Sequence, residues 1–265
     1  METVRSADGT TIAFERWGRG PALVVVGGAL SDRTIVGELA PHLAGLTVVG
    51  YDRRGRGDSG DTAPYAVERE VEDLRAVIDA VAGSAAVFGH SSGAALALEA
   101  AAGGLPITKL ALYEPPFIVD DTRPPLPDDY LPHLRDLVAA GRRGDAVEYF
   151  MTVGPSVPPE VVAQMRSSPT WPALEALAHT IAYDGAVMGD HMAGRPLPRD
   201  RWVSVTIPTL VMDGGASPAW ARNAVRELAE ILPNARRRTL EGQAHGAAPE
   251  VLAPVLEDFV LHGWV

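Results

Sequence analysis

Short runs of apolar residues recur along this chain, and stretches with helical periodicity separate them. Ala22–Val26 (ALVVV) and Leu46–Tyr51 (LTVVGY) are two such runs, and neither alternates regularly between polar and apolar residues. A strand that is apolar on both sides is typical of a parallel sheet covered by helices on each face. The other runs lie at Ala85–Phe88, Lys109–Tyr113 and Pro208–Met212, with a weaker one at Ala235–Leu240.

The segments between these runs predict the helices that cover the sheet. Glu68–Val81 carries apolar residues at spacings of three and four, which places them in one stripe along a helix. Ser92–Ala102 is rich in alanine and predicts a slim helix that can lie close to a sheet. Two more helices are predicted at Pro218–Leu232 and Val251–Leu261, and an edge strand in a hairpin at Thr10–Trp17. This alternation predicts an α/β fold with a mainly parallel sheet and helices on both faces.

One region, residues 115–201, interrupts the alternation. Prolines are dense at both of its ends, and no buried-strand pattern occurs within it. Its helical stretches are Leu131–Ala140, Asp145–Thr152 and Leu174–Ala182. We therefore expect residues 115–201 to form a helical insertion above the sheet, and residues 1–114 and 202–265 to form the core.

Charge and composition exclude several classes of function. The formal net charge is −11, which argues against a nucleic-acid binder, because such a protein needs a basic face to displace counterions. The chain has no cysteine, so thiolate catalysis and cysteine-ligated metal sites are excluded. Neither a metal-ligand motif nor a glycine-rich phosphate loop occurs, and we expect no metal or cofactor.

The expected location of the protein is the cytoplasm. Residues 1–9 lack the apolar segment of a secretory signal. No apolar run approaches the roughly 20 residues that a membrane-spanning helix needs. The sequence leaves both a monomer and a homo-oligomer open.

The strongest local motif is Gly89-His90-Ser91-Ser92-Gly93, a G-x-S-x-G pattern between a buried run and the alanine-rich helix. In this setting the serine occupies a sharp strand-to-helix turn and projects from the sheet, next to helix N–H groups that favour negative charge. A serine hydroxyl needs a base. Of the seven histidines, His245 lies between the last strand and the last helix, where strand-end loops of α/β sheets hold ligands. We predict Ser91 as a nucleophile and His245 as its base.

Five segments together resemble the α/β-hydrolase superfamily over nearly the whole chain. They are Val24–Gly28, Tyr51–Gly60 (YDRRGRGDSG), the turn at Ser91, Ile207–Met212 and the loop of His245. The resemblance implies a mostly parallel eight-stranded sheet with a helical cap, for which 115–201 is the candidate. It also implies an oxyanion hole made by the backbone N–H groups of Ala29 and Ser92.

The chain departs from the superfamily pattern at the triad acid. Most members place it nine residues after the proline of a P-T-L-V strand, and here that residue is Ser217. Glu114 is the favoured replacement, because it follows Lys109–Tyr113 at the sheet edge where Ser91 lies. This placement is similar to that in the fungal zearalenone lactonases, which this chain also resembles around Ser91 and Ser217. Asp213 remains the alternative acid.

These residues predict a serine hydrolase that acts on a small-molecule ester or lactone through an acyl-enzyme. The side chains predicted to contact the substrate are Trp171, Tyr183, Met188 and Trp220. Two alternatives stay open, because a fold does not determine its chemistry. The first is a carbon–carbon bond-cleaving or non-hydrolytic biosynthetic enzyme on the same scaffold. The second is a ligand-binding protein with a slow triad.

Overall fold

The computed structural model describes residues 1–264, and a single twisted sheet runs through them. Its strands are β1 (Glu2–Arg5), β2 (Thr11–Gly18), β3 (Ala22–Val26), β4 (Thr47–Tyr51), β5 (Ala85–His90), β6 (Ile107–Tyr113), β7 (Thr209–Gly214) and β8 (Ala235–Leu240). They follow the spatial order β1-β2-β4-β3-β5-β6-β7-β8. The first two pairings of that order, β1 with β2 and β2 with β4, are antiparallel, and the remaining pairings are parallel. The predicted mainly parallel α/β fold is confirmed.

Both faces of the sheet are buried, as the apolar runs predict. In β3, Val24 and Val26 pack into one hydrophobic cluster, whereas Leu23 and Val25 pack into another on the opposite side. The helices are α1 (Val36–Leu39), α2 (Val67–Val81), α3 (Ser92–Ala102), α4 (Tyr130–Ala139), α5 (Arg143–Val153), α6 (Pro159–Arg166), α7 (Trp171–Leu177), α8 (Ile181–Met188), α9 (Ala219–Ile231) and α10 (Pro249–His262). Helices α2, α3 and α9 contribute to the first cluster, and α1 and α10 to the second.

Helices α4 to α8 lie between β6 and β7, within the region 115–201 that the sequence predicts as a helical insertion, and we refer to this region as the insertion. Their apolar side chains build a third cluster, which includes Tyr130, Leu134, Val147 and Trp171. Leu30, from the loop after β3, packs against this cluster. The insertion therefore contacts the loops at the carboxyl end of the parallel strands. No helix of the described chain is both long and apolar enough to cross a membrane.

Two sequence-based expectations about secondary structure are wrong. The predicted edge strand Thr10–Trp17 is β2, which lies one strand inside the sheet, because Glu2–Arg5 pairs along its outer side. The four-residue strand Glu2–Arg5 is mostly exposed and therefore has no apolar sequence pattern. The predicted helix Leu174–Ala182 is divided, because a 3-10 turn at Ala178–Thr180 separates α7 from α8.

Candidate active site

A sharp turn between β5 and α3 carries Ser91. Its backbone has φ +57° and ψ −128°, a strained conformation for a residue with a side chain. The flanking glycines allow this turn to pack. A Cβ atom at Gly89 would lie 2.5 Å from the carbonyl oxygen of Gly93, and one at Gly93 would lie 2.2 Å from that of Val26. Strain of about 1–3 kcal/mol is typical of such residues and marks functional positions.

The loop after β3 passes directly beside this serine. A Cβ atom at Gly28 would lie 2.9 Å from Cβ of Ser91 and 3.5 Å from its Oγ, so only glycine allows this approach. Among the described residues, no hydrogen bond uses the backbone N–H of Ala29 or of Ser92. Two free N–H groups thus flank the point where the loop approaches the serine. Such groups can bind an oxygen that becomes negatively charged.

The imidazole of His245 is hydrogen-bonded to a buried carboxylate. Its Nδ1 lies 2.8 Å from Oε2 of Glu114. Glu114 follows β6 immediately, has φ +44°, and is 1% exposed. The backbone N–H of Gly214, at the end of β7, donates to Oε1 of Glu114 at 2.8 Å. The carboxylate is therefore oriented by the neighbouring strand and accepts from the imidazole.

Opposing influences act on the pKa of Glu114. Burial raises it, but hydrogen bonds from His245, from Ser217 and from the backbone of Gly214 lower it, and the pKa falls below its ordinary value. The Ser217 hydroxyl is buried beside the carboxylate, although it makes no hydrogen bond of regular geometry. Glu114 is consequently ionised at neutral pH. A negative charge at this place favours the Nδ1–H tautomer of His245 and stabilises its protonated form.

Asp213, the alternative acid, has other partners. Its side chain is fully buried, and it accepts from Arg237 at 2.7 Å, from Arg222 at 3.3 Å and from the Thr239 hydroxyl at 3.0 Å. Arg237 and Thr239 belong to β8, on the outer side of β7. The structure therefore brings Glu114, and not Asp213, to the imidazole of His245.

Two side chains hold the loop that carries His245. The Tyr113 hydroxyl donates to the carbonyl oxygen of Ala244 at 2.6 Å. The Nε2 atom of His90 lies 2.8 Å from the carbonyl oxygen of His245 and can only donate to it. The two imidazole rings lie 4.8 Å apart, so His245 lies beside the residue that precedes Ser91. Within residues 1–264 no hydrogen bond joins the Ser91 hydroxyl to His245, and their pairing as nucleophile and base stays a prediction. Burial and the neighbouring His245 lower the pKa of His90 to about 4, so its ring is neutral at pH 7.

The lowered pKa of His90 predicts a loss of stability in acid. An unfolded chain protonates this histidine near its ordinary pKa of 6.5, whereas the folded protein does so only near 4. The unfolded state therefore binds more protons across this interval, and the free energy of unfolding decreases as the pH falls. His90→Gln keeps an N–H donor. We expect this variant to reduce the decrease in the free energy of unfolding between pH 7 and pH 5 by about 1–2 kcal/mol.

Urea denaturation of both proteins at the two pH values measures this difference. The control is His262→Gln at the exposed end of α10, which leaves His90 in place and should lose as much stability as the wild type. An equal loss in wild type and His90→Gln would contradict the prediction.

The side chains predicted to contact the substrate lie in several environments. Trp171 is buried in the cluster of the insertion, and its indole N–H donates to Glu175 at 2.8 Å. Met188 is buried in the hydrophobic cluster that includes Val24 and Val26 of β3. Tyr183 stacks on Tyr65 at 3.9 Å, and Trp220 is half-buried under the guanidinium of Arg123 at 4.7 Å. These four side chains have different contact partners, and their role in binding a substrate stays a prediction.

A buried ionic cluster near Ser91 has a member that the sequence analysis missed. Its centre is Asp184 of α8, which binds Arg53 and Arg56 of the loop after β4 and the Ser92 hydroxyl. The loop at 52–58 is rich in charged residues, but no sequence pattern connects it with a residue so distant along the chain. No group of three potential metal-ligating side chains is found in residues 1–264.

The sheet order, the strained serine turn and the histidine–carboxylate pair define an α/β hydrolase. The chain belongs to the alpha/beta hydrolase family, whose model matches residues 13–255. Membership in this family supports hydrolase activity in general.

Solved structures resemble the chain over almost its full length. An alpha/beta hydrolase from Sphaerobacter thermophilus is 62% identical, with a TM-score of 0.91 over 97% of this chain and 99% of that one. An esterase from Exiguobacterium antarcticum is 21% identical, with a TM-score of 0.74 over 97% and 98% of the two chains. An enol-lactonase from Burkholderia xenovorans is also 21% identical, with a TM-score of 0.71 over 97% and 99%. The comparison with curated proteins gives no significant match.

Proposed function

We propose that the protein is a serine hydrolase that cleaves a small-molecule carboxylic ester or lactone through an acyl-enzyme. The observation that carries this proposal is the 2.8 Å hydrogen bond between His245 and Glu114, with the His245 ring 4.8 Å from that of His90, the residue before Ser91. A nucleophile, a base and an ionised acid that orients the base are the three groups that this chemistry requires.

Acylation begins when Nε2 of His245 takes the proton of the Ser91 hydroxyl. The Ser91 Oγ atom forms a bond to the carbonyl carbon, and the electron pair of the carbonyl bond moves onto its oxygen. The tetrahedral intermediate then expels the alkoxide, which takes the proton back from His245. For a lactone, the alkoxide stays attached to the acyl group. Glu114 stabilises the positive charge that His245 carries between these two transfers.

The backbone N–H groups of Ala29 and Ser92 are the proposed donors to the negative oxygen. They are free of other acceptors and lie where the β3 loop approaches Ser91. Stabilisation of this oxygen is commonly the largest single contribution to such catalysis. The same donors act in deacylation, when water attacks the acyl carbon with His245 as base. The cycle uses only groups of this chain and water.

The ester or lactone class is supported by the named relatives and by the acid's position. The structural neighbours include an esterase and an enol-lactonase. The placement of Glu114 directly after β6 resembles that of the acid in the zearalenone lactonases. A net charge of −11 disfavours strongly anionic substrates, because the protein's field repels them.

Labelling with a fluorophosphonate tests the proposal directly. This reagent phosphonylates only a serine that is activated by its base, so we expect one adduct, in the peptide that contains Ser91. We also expect turnover of p-nitrophenyl acetate and butyrate by the wild type. Peptide mass spectrometry and absorbance measure the two results.

The alternatives predict different outcomes of the same experiment. A carbon–carbon bond-cleaving or non-hydrolytic enzyme would accept the label but leave the nitrophenyl esters and simple lactones intact. A binding protein with a slow triad would bind small molecules but accept the label poorly. Absence of both labelling and ester turnover would overturn the proposed function.

A further inference from the structure

A buried ionic cluster joins the helical insertion to the turn that carries Ser91 and to the loop after β3 that passes beside it. We call it the Asp184 cluster, and it consists of Asp184, Arg53, Arg56, Ser92 and Glu70. Each of these residues is at most 3% exposed except Asp184, which is 4% exposed. Two guanidinium groups face two carboxylates, so the cluster is balanced in charge. Burial of ions at this depth is costly unless every one of them is paired.

Asp184 is the acceptor at the centre of this cluster. Its Oδ1 accepts from Arg53 at 2.6 Å, from Arg56 at 2.8 Å and from the Ser92 hydroxyl at 2.7 Å. Its Oδ2 accepts from Arg56 at 2.8 Å. One carboxylate of α8 thus binds two arginines and the residue directly after Ser91.

The same arginines hold the loop that follows β3. Arg56 donates to the carbonyl oxygen of Gly28 through Nη1, and Arg53 donates to that of Gly27 at 3.3 Å. The carbonyl of Gly28 and the N–H of Ala29 belong to one planar, trans peptide group, so they point in opposite directions. Fixing the carbonyl oxygen therefore fixes the direction of the Ala29 N–H.

Arg56 depends on Asp184 more than Arg53 does. Arg53 also pairs with Glu70 through two hydrogen bonds, at 2.6 and 2.7 Å. Within residues 1–264, Asp184 is the only carboxylate bound to Arg56. Loss of the Asp184 charge would therefore leave Arg56 without a carboxylate partner and weaken its hold on the Gly28 carbonyl, which also accepts from the Ser31 hydroxyl at 2.7 Å.

We propose that Asp184, on helix α8 of the insertion, is a positioning residue. It fixes the orientation of both proposed oxyanion-hole donors, the backbone N–H groups of Ala29 and Ser92. It acts on Ala29 through Arg56, and on Ser92 through the hydroxyl of that residue. This inference rests on the proposed function, because it concerns the charge that develops in the same reaction. The insertion then contributes to the rate of catalysis through Asp184.

The central test is Asp184→Asn, which keeps the shape of the side chain but removes its charge. We expect kcat to fall by about 30- to 100-fold on a nitrophenyl ester, while KM changes by less than about threefold. This range follows from the effect of losing or misplacing one oxyanion donor. An alkyl boronic acid provides the second readout, since its tetrahedral adduct with Ser91 places an oxygen in the hole. Its inhibition constant should rise by the same factor as kcat/KM falls.

Asp73→Asn is the matched control. Asp73 is 1% exposed and binds Arg54 of the same loop through two hydrogen bonds of 2.8 Å, yet contacts neither the Gly28 loop nor the Ser91 turn. We expect this variant to lose thermal stability but to keep kcat and the boronate constant within about twofold. Thermal denaturation of every variant separates folding from catalysis.

Ser92→Ala is the second variant, and it decides the question if Asp184→Asn does not fold. It removes the hydrogen bond to Asp184, changes no charge and keeps the backbone N–H. We expect it to weaken boronate inhibition and kcat together by about tenfold.

The inference is overturned if the folded variants keep the wild-type boronate constant, or if Asp73→Asn weakens it equally. A wild type without ester turnover or boronate inhibition would instead overturn the proposed function, and this inference with it.

Discussion

Ser91→Ala is expected to lower kcat for ester hydrolysis by about 10⁶-fold, because it removes the atom that bonds to the acyl carbon. The oxyanion donors remain, so a small residual rate above the uncatalysed reaction should persist. Steady-state kinetics on p-nitrophenyl butyrate measures the effect, and loss of fluorophosphonate labelling should accompany it.

Folding should be little affected by this substitution. Alanine meets the same backbone strain at φ +57° as serine does. The matched control is Ser204→Ala, which removes an exposed hydroxyl that donates to the carbonyl oxygen of Ala102 at 3.2 Å, at the end of α3 remote from Ser91. That variant should retain the wild-type rate. If Ser91→Ala kept more than about one hundredth of the activity, Ser91 could not be the nucleophile.

Glu114→Gln is expected to lower kcat by about 10⁴-fold. A glutamine has the same volume and can still accept from the backbone of Gly214, so the strand ends stay connected. Its amide nitrogen, however, donates towards Nδ1 of His245 and favours the wrong tautomer. It also removes the negative charge that stabilises the imidazolium.

Asp213→Asn is the comparison that separates the two candidate acids. Its carboxylate is as deeply buried as that of Glu114 but is bound to Arg222 and Arg237. We expect a lower melting temperature and a kcat within a few fold of the wild type. The opposite pattern, with Asp213→Asn inactive and Glu114→Gln active, would assign the acid to Asp213.

The fold was largely predictable, because a parallel strand that is buried on both faces has a short, nearly continuous apolar sequence. Ala22–Val26 is buried along nearly its whole length and is apolar throughout, and in the buried strand Thr209–Gly214 the central residues Leu210–Met212 are apolar. Glu2–Arg5 could not be found in this way, since it lies at the sheet edge and owes its conformation to backbone pairing with β2. The break within 174–182 also left no signal, because it depends on packing in the insertion.

The site was predictable where chemistry depends on position along a strand. Ser91, Glu114 and His245 each follow a strand, and the carboxyl ends of neighbouring parallel strands meet at one edge. Asp184 follows no strand. Its partner Arg53 lies 131 residues away along the chain, and only the folded insertion brings them together. Pairing of this kind depends on three-dimensional packing, which a one-dimensional pattern does not contain.

One peptide bond separates Glu114 from Pro115, where the helical insertion begins. Exchanging this segment between relatives, to redirect substrate choice, would therefore place unequal demands on its two junctions. The downstream junction, near residue 201, precedes a stretch of chain that leads to β7 and can absorb a mismatch. The upstream junction cannot accommodate a mismatch in this way, because Pro115 is buried and the preceding residue, Glu114, has φ +44°. A chimera spliced beyond Pro116 would keep the orientation of the Glu114 carboxylate, whereas one spliced at residue 114 would disturb it.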